Sequence, residues 1–433
     1  MSPVETGLVG VVLVFVFLAL RMPVAYVMLV VGFAGNMYLT SPQAAMSGTA
    51  STIYSTFASY SLIVVPLFVW MGYIAFHAGI STRIYDAVYK VMGSMPAGLA
   101  MATIGASTAF GAICGSTTAT AATMSAIAVP EMKRYNYNLS LATAVVAASA
   151  ILGVMIPPSV IFIIYGIATG ESISKLFMAG IIPGILLMLL FMITTYLWAR
   201  INPAVAPPGG RVGFKEKIQA VISGGVEVVI IFLAVMGGLF AGFFTPTEAG
   251  AVGAFSTLLV ALIRRQLTWK GFVESLRSAI HVSAMIMFLV AAASVFGRFL
   301  AITNLPSMMA VWASGLPIPP VAVLTVVLFI YLVLGCFIDA LALILLTIPI
   351  FYPVAVQLGY DPIWFGVIIV LVVGMGVITP PVGATIYVVA GTVPDVPVTT
   401  IFRGVWPYLI AVIFCIAILT AFPQLALFLP SLT

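Results

Sequence analysis

A short pattern occurs twice, half a chain apart. The first copy reads Gly153-Val-Met-Ile-Pro157-Pro158-Ser159 and the second Gly376-Val-Ile-Thr-Pro380-Pro381-Val382. A spacing of 223 residues separates Gly153 from Gly376, Pro157 from Pro380 and Pro158 from Pro381, as well as the upstream prolines Pro130 and Pro353. Both copies lie inside long apolar stretches. Proline removes a backbone donor and bends a helix, so each copy predicts a helix broken at membrane depth with free carbonyl groups. Lipid cannot satisfy such groups, whereas a cation or a polar cavity can. Two breaks at matched positions of an internal repeat point to the binding site of a secondary transporter.

The surroundings fit this reading. The chain has 433 residues, of which 63% are hydrophobic and 6% charged, and its mean hydropathy is +1.26. That balance defines an all-α polytopic membrane protein, and the helix-length runs exclude a β-barrel. The run from Leu8 to Leu20 lacks the basic start and small-residue cleavage site of a signal peptide. The pI of 9.1 reflects basic loops rather than nucleic-acid binding. Cys114, Cys336 and Cys415 fall in apolar segments, which argues for packing, and His77 and His281 stand alone.

Apolar spans are expected near 8–38, 57–78, 98–130, 138–166, 174–199, 223–244, 246–263, 278–303, 317–357, 362–391 and 402–426. The segments 81–95, 131–137, 200–217 and 264–277 are basic, while 40–56, 304–316 and 427–433 carry no charge. Basic loops belong in the cytoplasm and neutral ones outside, which places the N-terminus inside and the C-terminus outside. On this count both ends of 98–130 are cytoplasmic, with a turn at Cys114-Gly-Ser-Thr-Thr118. Both ends of 317–357 are outside, with a turn at Gly335-Cys-Phe-Ile-Asp339. Two re-entrant hairpins entering from opposite faces, each followed by a broken helix, make an inverted repeat. Four regions follow. Residues 1–56 form a scaffold helix and outer loop, and 57–200 the first repeat. Residues 201–278 hold a basic linker, including Pro203, Pro207, Pro208, Gly209 and Gly210, and further scaffold helices. Residues 279–433 form the second repeat.

Charges inside the membrane are costly and face a cavity or a partner. Asp339 is expected either to contact substrate or cation at its helix break or to pair with Arg298. Arg298 is expected either to fork onto a substrate carboxylate or to snorkel to headgroups. Glu248, after Thr245 and Thr247, reads as part of a helix cap. Among the hydroxyls, close helix packing accounts for Thr120, Thr123 and Ser125, whereas Ser116, Thr117 and Thr118 sit at the expected turn.

Several motifs then share one resemblance. Phe110-Gly-Ala-Ile-Cys-Gly-Ser-Thr-Thr-Ala-Thr-Ala-Ala with Pro130-Glu131-Met132, Ile156-Pro-Pro-Ser159, Phe244-Thr-Pro-Thr-Glu-Ala249 and Ile378-Thr-Pro-Pro-Val-Gly383 resemble the large membrane subunit of tripartite ATP-independent periplasmic (TRAP) transporters. The resemblance covers nearly the whole chain. It implies an elevator-type transporter of the bacterial inner membrane, driven by Na+. It also implies an organic-acid substrate delivered by a periplasmic binding protein, and a separate small four-helix membrane subunit. Carried over, the sodium sites are Gly115 and Ser116 with Gly153, Ile156 and Pro157, and Gly335 and Asp339 with Gly374, Gly376 and Thr379. The substrate region takes in Ser116, Thr117, Thr118, Ser159, Arg298 and Asp339. A standalone anion transporter, coupled to sodium or protons and needing no binding protein, is the alternative. A channel fits less well, because the polar residues cluster at two points and form no continuous pore. No acid–base, metal or nucleophile cluster points to an enzyme.

Overall fold

The computed structural model describes residues 1–207 and 213–432, so Pro208, Gly209, Gly210 and Arg211 of the linker lie outside the described residues. Among the described residues seven helices are long and apolar enough to cross a membrane, and a bent pair, Leu139–Met155 with Val160–Thr169, makes an eighth. The protein is a multi-pass, all-helical membrane protein.

The segment 98–134 forms two helices, Gly98–Cys114 and Thr117–Arg134, packed on one another. Glycine at the left-handed position ends the first, since Gly115 has φ of 63°. Pro320–Gly335 and Ala340–Gln357 make the corresponding pair in the second half. After the first pair the chain breaks between Met155 and Val160, bending by 43°. After the second it breaks between Pro362–Gly376 and Ala384–Thr392. The halves interlock: Val398–Ala421 packs on Leu139–Ser149, and Ile173–Ile201 packs on both Val398–Ala421 and Pro362–Gly376.

A second layer supports these elements. Trp269–Thr303, 35 residues long, packs against Val24–Leu39, Pro42–Phe57 and Val64–His77, and Pro246–Ile263 packs along Val64–His77. Thr245 and Glu248 cap Pro246–Ile263 reciprocally. The Thr245 N–H donates to Glu248 Oε2 at 2.8 Å, and the Glu248 N–H donates to Thr245 Oγ1 at 3.3 Å.

The structure corrects the sequence reading in the first sixty residues. The expected single span 8–38 is two helices, Pro3–Ala19 and Val24–Leu39. Arg21 in a left-handed conformation and Pro23 at the cap turn the chain between them. A single charged residue in the turn leaves the hydropathy nearly continuous, which hides the break. The uncharged segments expected as loops are also helical. Pro42–Phe57 starts at Ser41, whose Oγ accepts from the Ala44 N–H at 3.2 Å, and Leu305–Ser314 starts after left-handed Asn304. The basic segment 81–95 lies largely in the amphipathic helix Ile80–Met92.

Candidate functional site

The first helix pair meets in a two-residue tip. Ser116 caps Thr117–Arg134, its Oγ accepting from the Ala119 N–H at 3.4 Å and lying 3.1 Å from Thr118 Oγ1. The tip rests on the first break. A Cβ on Gly115 would lie 2.8 Å from the Pro158 carbonyl oxygen, and one on Gly111 would lie 2.4 Å from Gly153 Cα. In the second half Asp339 occupies the cap, its Oδ2 accepting from the Leu341 N–H at 3.1 Å. This tip also rests on its break: the Gly383 N–H donates to the Cys336 carbonyl at 3.3 Å. A Cβ on Gly376 would lie 2.8 Å from the Gly335 carbonyl carbon. Both Pro-Pro bonds, 157–158 and 380–381, are cis.

The breaks leave main-chain oxygens unpaired. Among the described residues, no backbone N–H from outside the helices donates to the carbonyls of residues 153–158, nor to those of Gly374 and residues 378–382. The Gly335 carbonyl is also without a backbone donor, whereas that of Gly376 accepts from Thr379 N–H at 3.0 Å. The Thr379 hydroxyl donates to the Met375 carbonyl at 2.7 Å and keeps its own lone pairs. Runs of unpaired oxygens in an apolar setting suit a hard cation, which takes oxygen ligands.

The tips converge on a cavity of about 460 Å³. Gly115, Ser116, Thr117 and Thr118 line it from the first tip, and Asp339 from the second. The opposite wall comes from the supporting layer: Val69, Tyr73 and Phe76 of one helix, and Val282, Met285 and Ile286 of another. Sequence reasoning missed this wall, because apolar side chains in apolar helices carry no distinguishing signal. Thr123, accounted for by helix packing in the sequence reading, also lines the cavity, as do Phe110 and Cys114. Thr117 and Thr123 are 7% and 3% exposed, and neither hydroxyl takes part in any of the hydrogen bonds described above.

Other expected site residues lie elsewhere. Gly153, Ile156, Pro157, Gly335, Gly374, Gly376 and Thr379 form the breaks and their contacts with the hairpins, behind the cavity wall. Ser159 is fully buried and caps Val160–Thr169, its Oγ accepting from the Phe162 N–H at 3.4 Å. It does not line the cavity. Arg298 is absent from the cavity as well. Its Nη1 donates to the Gly48 carbonyl at 3.1 Å, pinning Trp269–Thr303 to Pro42–Phe57. Gly48 permits this approach, since a Cβ there would sit 2.7 Å from the guanidinium. Arg298 therefore does not line this cavity and makes no ion pair with Asp339. Its direction is set by a bare glycine carbonyl on the neighbouring helix. Among the described residues no group of three or more His, Cys, Asp or Glu could hold a metal ion.

Paired helix breaks around a cavity, in a multi-pass α-helical protein, fit a transporter. Residues 11–425 match the family described as tripartite ATP-independent periplasmic transporter, DctM component. The chain is 34% identical to the sialic acid TRAP transporter large permease protein SiaM of Vibrio cholerae, covering 95% of each chain. It is 33% identical to the C4-dicarboxylate TRAP transporter large permease protein DctM of Pseudomonas aeruginosa, covering 92% of each. It is 32% identical to the isethionate TRAP transporter permease protein DctMQ of Oleidesulfovibrio alaskensis, covering 88% of this chain and 59% of that protein. The fold resembles that of the YdaH transporter of Alcanivorax borkumensis, with a TM-score of 0.62 at 13% identity over 88% of this chain and 90% of that one. The protein belongs to the DctM family of TRAP transporter large permeases, and its work is transport rather than catalysis.

Proposed function

We infer that this chain takes up an organic acid across the bacterial inner membrane in symport with Na+. The observation that carries this reading is the pairing of each hairpin tip with a helix break full of unpaired carbonyl oxygens. Among the described residues the only charged one lining the cavity is a carboxylate, Asp339, so sodium at the breaks supplies the positive charge. Relatives whose names specify sialic acid and C4-dicarboxylate permeases support an acid substrate.

The hairpins are re-entrant and enter from opposite faces, and they move with the broken helices as an elevator past the supporting layer. Tyr73 and Phe76 lie at the end of the Tyr60–His77 span that precedes the basic segment 81–95. Val282, Met285 and Ile286 lie in the first half of Trp269–Thr303, which follows the basic segment 264–277. By the positive-inside rule the cavity sits toward the cytoplasm, which makes this the inward-facing state. A small four-helix membrane subunit and a periplasmic binding protein complete the transporter. The fused permease relative, named for both M and Q, supports the first of these partners.

The test is uptake by the reconstituted three-part complex in liposomes. Uptake is expected only with an inward sodium gradient, and is expected to be electrogenic. The chain alone should not take up free substrate. Full uptake in sodium-free buffer with a proton gradient would reject sodium coupling, and uptake by the chain alone would reject the need for partners.

A further inference from the structure

We propose that the substrate is a monocarboxylate whose remaining body is hydrocarbon, such as a branched 2-oxo acid, and not a sugar acid or a dicarboxylate. This rests on the reading of the chain as an organic-acid transporter. The cavity divides by chemistry. Its neutral polar groups sit mainly on the first hairpin, where Thr117 and Thr123 are buried and, among the described residues, neither hydroxyl makes a hydrogen bond. Those hydroxyls lie at and just beyond the N-terminus of Thr117–Arg134, an 18-residue helix whose first N–H groups and dipole favour an anion. One carboxylate is satisfied there.

The facing wall is hydrocarbon apart from the Tyr73 phenol. Val282, Met285, Ile286 and Phe76 come from the supporting layer, and Ile161 flanks them. Among the described residues no Lys, Arg, His, Asn or Gln lines the cavity. A sugar acid seated at the hairpin would turn several hydroxyls against this wall, each losing its water for nothing. An unpaired buried polar group lowers affinity about tenfold or more. A second carboxylate fares worse, because Asp339 is the only charged lining group it can meet among the described residues. A hydrocarbon body loses nothing and gains by leaving water. The volume of about 460 Å³ is in the range of small-molecule sites.

The experiment measures ligand-dependent thermal unfolding of the full chain in lipid nanodiscs with sodium present. The probes are 4-methyl-2-oxopentanoate, succinate, N-acetylneuraminate and leucine. The branched oxo acid is expected to bind at least tenfold more tightly than each of the others. Thr117→Val keeps the shape and removes the unpartnered hydroxyl, and should weaken it about tenfold. Val282→Thr, isosteric on the opposite wall, should weaken it severalfold without shifting the unfolding temperature of the free protein. Equal or tighter binding of succinate or N-acetylneuraminate overturns the proposal and leaves acid transport standing. Equal or tighter binding of leucine overturns it by pairing Asp339 with an ammonium group. Binding of none of the four overturns it too, and the liposome assay then judges the transport reading separately. Unchanged affinity in both variants also overturns it.

Discussion

The two hairpin tips have the same build and different chemistry. Each sits on a helix break, and each begins its second helix with a side-chain cap. The first uses a neutral hydroxyl, Ser116, followed by two threonines, and the second uses the carboxylate of Asp339. The breaks differ in the same sense. Ser159 caps the helix after the first, whereas no side chain caps the helix after the second, where Val382 is followed by left-handed Gly383. The recurring Gly-x3-Pro-Pro pattern goes with matched backbones, while the side chains at the two tips differ. A tip of hydroxyls and N–H groups suits an anion, while a tip with a carboxylate suits a cation. On the sodium-symport reading proposed above, this contrast gives substrate recognition mainly to the first half and the more strongly bound sodium to the second.

The largest effect is expected where hairpin meets break. An added Cβ at Gly376 meets main-chain atoms of Gly335, the nearest at 2.8 Å. At Gly153 the nearest atom is the Thr120 hydroxyl at 2.7 Å, a side chain that can rotate, with the Ser116 carbonyl at 3.2 Å. Backbone clashes relieve less easily than side-chain ones. Gly376→Ala is therefore expected to cost about 2–3 kcal/mol and Gly153→Ala about 1 kcal/mol, within the range for overpacking. Thermal unfolding and the monodisperse fraction after extraction measure both. Equal losses would remove the asymmetry at this level.

Next comes the chemistry of the tips. Asp339→Asn keeps the shape and a cap but loses the charge, so the sodium concentration for half-maximal uptake should rise at least tenfold. Ser116→Ala removes a neutral cap worth about 1 kcal/mol. It should reduce substrate affinity severalfold and leave the sodium dependence near that of wild type. Initial uptake rates across a sodium series, at matched membrane abundance, separate the two. A larger sodium shift in Ser116→Ala than in Asp339→Asn would reverse the assignment. Arg298 serves as a control: Arg298→Lys should lower stability through its lost contact with Gly48 while leaving substrate affinity unchanged.

What could be read from sequence follows from which residues carry local geometric meaning. Gly153, Pro157, Pro158 and their partners at 376, 380 and 381 dictate breaks wherever they occur, so both broken helices were legible. Gly115 and Ser116 likewise marked their own turn. The helix Pro42–Phe57 had a legible start in Ser41-Pro42, but its lack of charge and modest hydropathy resembled a loop. Arg298 shows a different limit. A rare charge in an apolar segment signals that a partner exists, yet not which way the side chain points. Here a glycine carbonyl 250 positions away decided it. The cavity wall was invisible for the opposite reason. Val282 and Ile286 look like dozens of other apolar residues, and only tertiary packing turns them toward the tips.

The smallest effect is expected where the end of the first hairpin meets the segment after the second broken helix. Lys133, closing the first hairpin, pairs with Asp395, which follows the second broken helix; Nζ and Oδ2 are 2.5 Å apart. The pair joins the two halves directly, but both partners are accessible, with 31% and 63% of their side-chain surfaces exposed. Exposed pairs contribute little. The hydrogen bond from Lys133, with its charge, holds the Asp395 carboxyl below the usual carboxylate range. A carboxyl depressed in the folded state stabilises above its unfolded pKa of about 4 and loses that contribution as pH falls through its folded pKa. Asp395→Asn should therefore lower the unfolding temperature slightly at pH 7 in low salt. The difference from wild type should shrink with added salt and vanish at pH values below the ordinary carboxylate range. A large loss at pH 7 that persists in high salt would mean that this contact, rather than the buried packing of Val398–Ala421 on Leu139–Ser149, holds the two halves together.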